Sequence, residues 1–103
     1  LDLDIDPKLA WALKHRERFP VDINVADREI LLRVPGFGTK TVASILSSRR
    51  FRRLRLEDVA RFGVSLKKVK AFIVAEGWTP GKLTERPDLR AMFAPQPEQL
   101  SLL

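Results

Sequence analysis

Two spaced glycines separate two short helical patterns near the middle of this chain, within the stretch Val34-Pro35-Gly36-Phe37-Gly38-Thr39-Lys40-Thr41. The segment 24–33 before them carries helix-start residues, and the segment 39–50 after them has one apolar face. Because the link is so short, the two helices are expected to turn back on each other as a hairpin. Such a hairpin directs a row of backbone N–H groups at one point in solvent, which is the geometry that binds a phosphate.

The residues of this link each have a physical reason to form a phosphate site. The glycines permit positive φ or close backbone approach, Pro35 ends the first helix, and Phe37 is expected to pack between the helices. The helix starting at Thr39 has unpaired N–H groups at its positive end, so Lys40 is unfavourable there unless an anion docks. The predicted phosphate-binding residues are Gly36, Phe37, Gly38, Thr39, Lys40 and Thr41. The alternative is an ordinary helical hairpin with a glycine cap.

A degenerate second copy of the pattern follows the first. The match aligns Gly63, Val64 and Ser65 with Gly36, Phe37 and Gly38, and it continues with Lys67 under Lys40, Val69 under Val42, Phe72 under Ile45 and Ile73 under Leu46. An internal repeat indicates that the two helical pairs bury their apolar faces against each other, as pseudo-symmetric units. The second copy lacks the proline and one glycine, so it is either a weaker phosphate contact or a structural partner. Its candidate contacts are Gly63, Ser65, Lys67 and Lys68.

Positive charge is concentrated in the same region. Residues 31–78 hold 11 Lys and Arg against 3 Asp and Glu, whereas residues 1–30 are net −2 and residues 79–103 are neutral. The densest part is Arg49-Arg50-Phe51-Arg52-Arg53-Leu54-Arg55, in which Phe51 and Leu54 are expected to face inward. The arginines could simply solvate a helix end, but beside a phosphate-type link they favour contact with a nucleic-acid backbone. The predicted contacts are Arg49, Arg50, Arg52 and Arg53.

The pattern along the chain predicts an all-α fold of about five short helices. An N-terminal helix spans 7–18, the first hairpin unit spans 24–50 and the second spans 56–77, all within a domain covering 1–78. Asn24 is expected to cap the helix of the first unit, and Gly77 to end a helix over 66–76. No segment has the alternation of a sheet, although 21–23 should be extended. Prolines mark 79–103 as an irregular tail.

Several classes of function are disfavoured by composition. The chain has no Cys, so it offers no disulfide and no zinc–thiolate or iron–sulfur ligation of its own. It shows neither a long apolar span nor a signal-peptide pattern, and we expect a cytoplasmic protein with no membrane partner. His15 is the single His, Asp58 sits where a first helical turn favours acids, and Asp2, Asp4 and Asp6 lie at the chain end. We therefore predict no catalytic residue, no metal site and no bound cofactor. Because the chain starts at Leu1 rather than Met, we expect a piece of a longer protein.

The stretch Leu31 to Leu46 resembles the helix-hairpin-helix motif of DNA-binding proteins. The resemblance rests on Pro35, Gly36, Phe37, Gly38, Lys40, Val42, Ser44, Ile45 and Leu46, with Val42 where that family usually has Ala. It implies that the hairpin amides bind a DNA backbone phosphate, most naturally of duplex DNA, without reading sequence. Glycosylases of this type place an essential Asp downstream of the hairpin. Asp58 has about that spacing, but a chain this short leaves no room for a flipped-base pocket.

A wider resemblance covers residues 6–78. The segments Asp6-Pro7-Lys8-Leu9-Ala10-Trp11-Ala12 and Phe19-Pro20-Val21-Asp22-Ile23-Asn24, followed by the hairpin, look similar to the C-terminal region of bacterial DNA modification or repair proteins of the radical S-adenosylmethionine superfamily. This implies an iron–sulfur cluster and S-adenosylmethionine in a parent protein, to which the fragment delivers DNA. Degenerate hairpin domains also serve as protein-interaction or dimerisation modules, and this alternative stays open.

The last residues form a second candidate binding motif. The segment Gln99-Leu100-Ser101-Leu102-Leu103 resembles the peptide by which bacterial DNA polymerases and repair proteins bind the sliding clamp, with Leu103 in place of an aromatic residue. In that interpretation Gln99 bonds at a pocket rim, and Leu100, Leu102 and Leu103 supply apolar contact. A tail that happens to contain leucines is the plainer alternative.

Overall fold

A computed structural model describes residues 7–81 of the 103-residue chain. Its regular structure is mostly helical, and the helices are α1 (Pro7–Lys14), α2 (Arg28–Leu31), α3 (Thr39–Ser48), α4 (Leu56–Arg61) and α5 (Leu66–Val69). A 3-10 turn covers Arg16–Arg18, and two short strands are β1 (Val21–Asp22) and β2 (Ile73–Val74). None of the helices within 7–81 is long and apolar enough to cross a membrane.

The N-terminal helix is shorter than the predicted span 7–18. Helix α1 begins at Pro7, where a missing N–H has no cost, and it buries Leu9 and Ala12 three residues apart. The α-helix ends at Lys14, and the amide of His15 is shared between the carbonyls of Trp11 and Ala12. The chain then tightens into the 3-10 turn before reaching Pro20, consistent with the restriction that a proline places on the residue before it.

Helices α2 and α3 form the first helical pair, and their ends follow local capping chemistry. The carboxylate of Asp27 accepts the amide of Ile30 at 3.0 Å and so caps α2. Asn24, the predicted cap, lies too far before the first residue of α2 to cap it, and its side chain bonds to Leu54 instead. Helix α3 buries Val42 and Ile45 on one face, as the apolar spacing predicted. The two helices lie in contact across the link 32–38.

The second helical pair, α4 and α5, is shorter than expected. Helix α4 begins at Leu56, where the second unit was predicted to start, and Asp58 in its first turn accepts the amide of Arg55 at 2.8 Å. Helix α5 has a single turn, Leu66–Val69, instead of the predicted 66–76. The chain leaves the helix because residues 72–74 pair with another segment. Gly77 does not cap a helix but has φ +81° in the turn between Ala75 and Trp78, whose backbones bond at 3.0 and 3.1 Å.

A small parallel sheet corrects the all-α prediction. Strand β1 pairs with β2 in parallel register, with Val21 opposite Ile73 and Asp22 opposite Val74. The amide of Val21 donates to Phe72 at 2.8 Å, and the amide of Ile23 donates to Val74 at 3.1 Å. Each strand has two residues, which is too short to produce a recognisable alternation in sequence. The expected extended segment 21–23 is confirmed for Val21 and Asp22, whereas Ile23 already lies in a turn. The partner strand lies some fifty residues away, in a stretch predicted as helix.

The apolar side chains form one core cluster that draws on both helical pairs, α1 and both strands. Leu9 and Ala12 come from α1, Phe37, Val42 and Ile45 from the first link and α3, and Val59, Val69, Phe72 and Ile73 from the later elements. Phe19 meets Phe72 edge-on, with ring centroids 5.5 Å apart. Burial of this set is the main stabilising term of the fold, and it places the first link on the surface of the same core as the second pair.

Candidate nucleic-acid interface

The fold requires glycine at one of the two glycine positions of the first link and not at the other. Gly36 has φ +98°, and a Cβ built on it would lie 2.6 Å from Cγ1 of Val69 in α5. It is therefore required both by its own backbone and by the packing of the second pair against the link. Gly38 has extended backbone, with φ −96° and ψ −179°, and no protein atom lies within 4 Å of its would-be Cβ. Nothing in the described part of the fold requires glycine at position 38.

The backbone donors at the start of α3 are not used by the part of the chain that the structure describes. The first backbone bond of the helix is donated by Val42 to Gly38 at 3.0 Å. Within residues 7–81, no acceptor is recorded for the four amides that precede it, those of Gly38, Thr39, Lys40 and Thr41. Gly38, Thr39 and Lys40 are exposed, whereas Thr41 is mostly buried. These amides and the helix dipole make this end of α3 electropositive.

Phe37 anchors the link instead of offering a donor to solvent. Its side chain is buried, which confirms the expected packing between the helices. Its amide donates to the carbonyl of Val34 at 3.0 Å, and its carbonyl accepts the ammonium of Lys8 from α1. Phe37 therefore contributes to the predicted site by holding the loop shape. The amides that remain for a ligand begin at Gly38.

The second link repeats two local features of the first. Gly63 has φ +85°, matching the positive φ of Gly36, and Ser65 precedes α5 as Gly38 precedes α3. A Cβ built on Gly63 would have no atom within 4 Å. Lys67 and Lys68 are exposed in the turn of α5. Helix α5 has only four residues, so its dipole is smaller than that of the ten-residue α3.

Three of the four arginines predicted to contact DNA bind the protein itself. Arg49 donates to the carbonyls of Ile23 and Ala26 at 3.0 and 2.6 Å. Arg52 pairs with the buried carboxylate of Asp58, and Arg53 pairs with Glu76 at 2.8 Å, a hydrogen bond that raises the pKa of Arg53. The side chains of Arg52 and Arg53 stay 60% and 59% exposed, so an anion can still reach them. Among residues 7–81, Arg50 has no recorded intramolecular partner.

The expectation that Phe51 and Leu54 both face inward is correct for Leu54 and wrong for Phe51. Leu54 is fully buried, whereas Phe51 is 83% exposed. Helix α3 ends at Ser48, and the amide of Phe51 donates to Ser48 at 3.1 Å in a turn. Helical periodicity therefore no longer sets the direction of the side chain at position 51. The structure leaves a large aromatic ring in solvent inside the arginine-rich segment.

The fixed position of this segment depends on Asn24, for which the sequence predicted a different role. The side chain of Asn24 accepts the amide of Leu54 at 2.8 Å and donates to its carbonyl at 3.1 Å. The amide of Glu76 donates to the same carbonyl at 2.8 Å. Asn24 thus joins the first unit to the segment thirty residues later. Its local sequence resembles a helix cap, so only the tertiary fold reveals this role.

A separate groove of about 830 Å³ lies on the α1 and α2 side of the molecule. Trp11 stacks on His15 with centroids 4.1 Å apart, and the guanidinium of Arg33 lies 4.6 Å from the Trp11 ring. His15 also bonds to the Trp11 carbonyl through Nδ1 at 2.9 Å, so it is a packed residue and not a simple surface one. Ile30 is 43% exposed and lines the groove. The charged side chains that line the groove are those of Arg18, Glu29 and Arg33, so the groove has no single sign of charge.

Asp58 has a complete structural explanation. It is 6% exposed, caps α4 through Arg55 and pairs with Arg52 and Arg61. Across residues 7–81, no group of three His, Asp or Glu side chains is placed to hold a metal ion.

The predicted clamp-binding residues Gln99, Leu100, Leu102 and Leu103 lie outside the described residues, as do Asp2, Asp4 and Asp6. No family model, curated protein or solved structure matches this chain.

Proposed function

We propose that this chain is a sequence-independent DNA-binding module of the helix-hairpin-helix type, whose first link binds a backbone phosphate. The observation that carries the proposal is the run of amides from Gly38 to Thr41, for which residues 7–81 supply no acceptor. Consecutive N–H groups at the N-terminus of a helix bind phosphate oxygens through hydrogen bonds and the helix dipole. Phosphates are common to all DNA sequences, so such contacts position the protein without reading bases.

The chemistry around these amides supports an anionic ligand. Lys40 is exposed in the first turn of α3, where a cation opposes the helix dipole in the absence of an anion. Gly38 has open space where a side chain would be, so a phosphate can approach the backbone closely. Among the described residues, no carboxylate caps this helix and competes with a bound phosphate.

The arginine-rich segment supports a wider contact than one phosphate. Arg50 is exposed, and Arg52 and Arg53 keep most of their surface in solvent while paired. Partners such as Asp58 and Glu76 fix the positions of these guanidinium groups. Arginines held in this way can bind neighbouring phosphates with less loss of side-chain entropy.

In this proposal the two helical pairs act as a pseudo-symmetric tandem unit. Its support is the match of Gly63 to Gly36 in positive φ and of Ser65 to Gly38 at the start of the following helix. Because α5 is a single turn and Val69 packs on Gly36, the second pair mainly supports the first link. We assign the phosphate contact mainly to the first link.

The proposed setting is a larger DNA repair or modification protein of the radical S-adenosylmethionine type. Cysteine thiolates hold iron–sulfur clusters, and this chain has no Cys. Any cluster and its S-adenosylmethionine would therefore belong to another part of that protein. The module described here would bind DNA and present it, with no catalytic residue of its own.

A second candidate function, a protein-interaction module, rests on the groove beside α1 and α2. Exposed Ile30 and the Trp11 ring give this groove an apolar floor that an amphipathic helix could cover. The groove reaches the start of the link, at Leu32 and Arg33, but does not include the amides from Gly38 to Thr41. The two functions therefore predict different sensitive residues and a different response to salt.

A salt titration with labelled duplex DNA tests the proposal. Fluorescence anisotropy at increasing salt should give a log–log slope of about −2 or steeper, which corresponds to two or more neutralised phosphates. Two unrelated duplex sequences should give the same affinity. Absence of duplex binding at low salt, or a slope near zero, would reject phosphate binding, and the second candidate would then take its place.

A further inference from the structure

The exposed ring of Phe51 is the feature of this surface that phosphate binding leaves unexplained. At 83% exposure it is the most exposed of the large apolar side chains among residues 7–81. Contact with a phosphate would not shield the ring from water, because a phosphate offers charged oxygens and no apolar surface. A partner with a planar or apolar face would shield the ring from water.

The segment that carries Phe51 is held on both sides. Before the ring, Arg49 bonds to the carbonyls of Ile23 and Ala26. After it, Leu54 is fully buried and its backbone bonds to Asn24 and Glu76. The ring therefore projects from an anchored turn, so binding a partner there orders little additional backbone.

The charge around the ring selects the kind of partner. Five arginines occupy the seven positions 49–55, and two carboxylates, those of Asp58 and Glu76, pair with members of this set. The excess positive charge favours an anionic partner. Unpaired DNA combines both properties, because its bases stack on aromatic rings while its phosphates bind arginine. A base inside continuous duplex is stacked on both faces and offers no free face.

We propose that Phe51 stacks on an unpaired base, so that the module prefers DNA in which a single-stranded gap interrupts a duplex. The inference rests on the proposed DNA-binding function and adds the class of DNA structure to it. In this arrangement the first link binds a phosphate of the duplex arm. Phe51, with Arg50 beside it, binds the unpaired segment.

The test uses the whole 103-residue chain and three labelled DNAs of equal length, of which the two gapped DNAs also carry equal charge. One is a continuous duplex, one contains a thymine gap, and one contains the same gap with abasic residues, which keep the phosphates but lack bases. We expect the wild type to bind the thymine gap about tenfold more tightly than the abasic gap, as base–aromatic stacking predicts. Phe51→Ala should abolish this difference and leave affinity for the continuous duplex unchanged.

Three further variants separate stacking from other causes. Phe51→Trp should retain the preference, because an indole ring also stacks, whereas Phe51→Leu should lose it although it remains apolar. Ile30→Ala also shortens an exposed apolar side chain, but one in the groove, and it should bind all three DNAs as the wild type does.

The urea midpoint of Phe51→Ala should equal that of the wild type, because the exposed ring makes little contact with the rest of the protein. A clear fall in stability would mean that the ring is covered by the chain itself and would overturn the inference.

The outcomes distinguish this inference from the proposed function. If the wild type binds both gaps equally while duplex binding keeps its salt dependence, the stacking inference is wrong and the phosphate site stands. If Phe51→Ala weakens binding to all three DNAs alike, Phe51 is a general contact and the inference is also wrong. If the wild type binds none of the DNAs, the proposed function itself fails.

Discussion

Gly36 and Val69 are in such close contact that a Cβ on Gly36 would lie 2.6 Å from Cγ1 of Val69. The first belongs to the link between α2 and α3, and the second belongs to α5. The two helical pairs therefore meet at the back of the same link whose exposed amides form the candidate phosphate site. Val69 leaves no room for a side chain at position 36, so packing of the second pair restricts which residue the first link can hold there.

Replacing Gly36 by Ala should destabilise the fold strongly. The new Cβ suffers both a positive φ and an overlap with Val69, for a combined loss of about 3 kcal/mol in the free energy of unfolding. Gly63→Ala is the matched control, because its φ is also positive but no atom lies within 4 Å, and it should lose about 1 kcal/mol. Urea unfolding measures both. Equal losses in the two variants would show that the contact with Val69 has no energetic weight.

Replacing Gly38 by Asp should separate stability from binding. Asp is a favoured N-cap and its charge suits the helix dipole, so stability should stay equal or rise by about 0.5 kcal/mol. Duplex affinity should fall at least about tenfold, or roughly 1.4 kcal/mol, because the carboxylate occupies the place of a phosphate. Gly38→Asn has nearly the same shape without the charge and should lose less. A folded Gly38→Asp variant with unchanged affinity would remove the first link from the binding site.

The lysines of the two links should differ in their effect on binding. Lys40→Ala removes a cation from beside the exposed amides of α3 and should reduce the salt slope by about 0.9, the value for one phosphate. Lys67→Ala, at the matching position in single-turn α5, should change affinity less. Both effects should be the same on unrelated sequences. If Lys67→Ala is the more harmful substitution, the second link is the main contact.

Asp58 should be required for stability and not for chemistry. Asp58→Ala removes the acceptor for the Arg55 amide and the partner of Arg52 and Arg61, with an expected loss of about 2 kcal/mol. Asp58→Asn keeps one acceptor for the amide and should lose less. Glu57→Ala, in the same helical turn but exposed, should change stability by less than about 0.5 kcal/mol. A loss for Glu57→Ala as large as that for Asp58→Ala would contradict this account.

The sequence by itself was sufficient for features that depend on neighbouring residues. The glycine-rich link, the start of α3 at Thr39, the buried positions Val42 and Ile45, and the inward side chain of Phe37 all follow from helix periodicity and capping. The charge concentration over 31–78 is likewise a property of composition. These local patterns are sufficient to predict the candidate site.

Only the tertiary structure decided the features that depend on distant partners. The strand pairing of Val21 with Ile73 ended α5 early, and the role of Asn24 is set by Leu54 rather than by the helix beside it. Three arginines bind carbonyls or carboxylates of the chain itself, and Phe51 lies in solvent because α3 has already ended. A hydrogen bond between residues far apart in the chain leaves no periodic trace in either segment. Which polar groups are satisfied internally, and which remain for a ligand, is therefore decided by the folded chain.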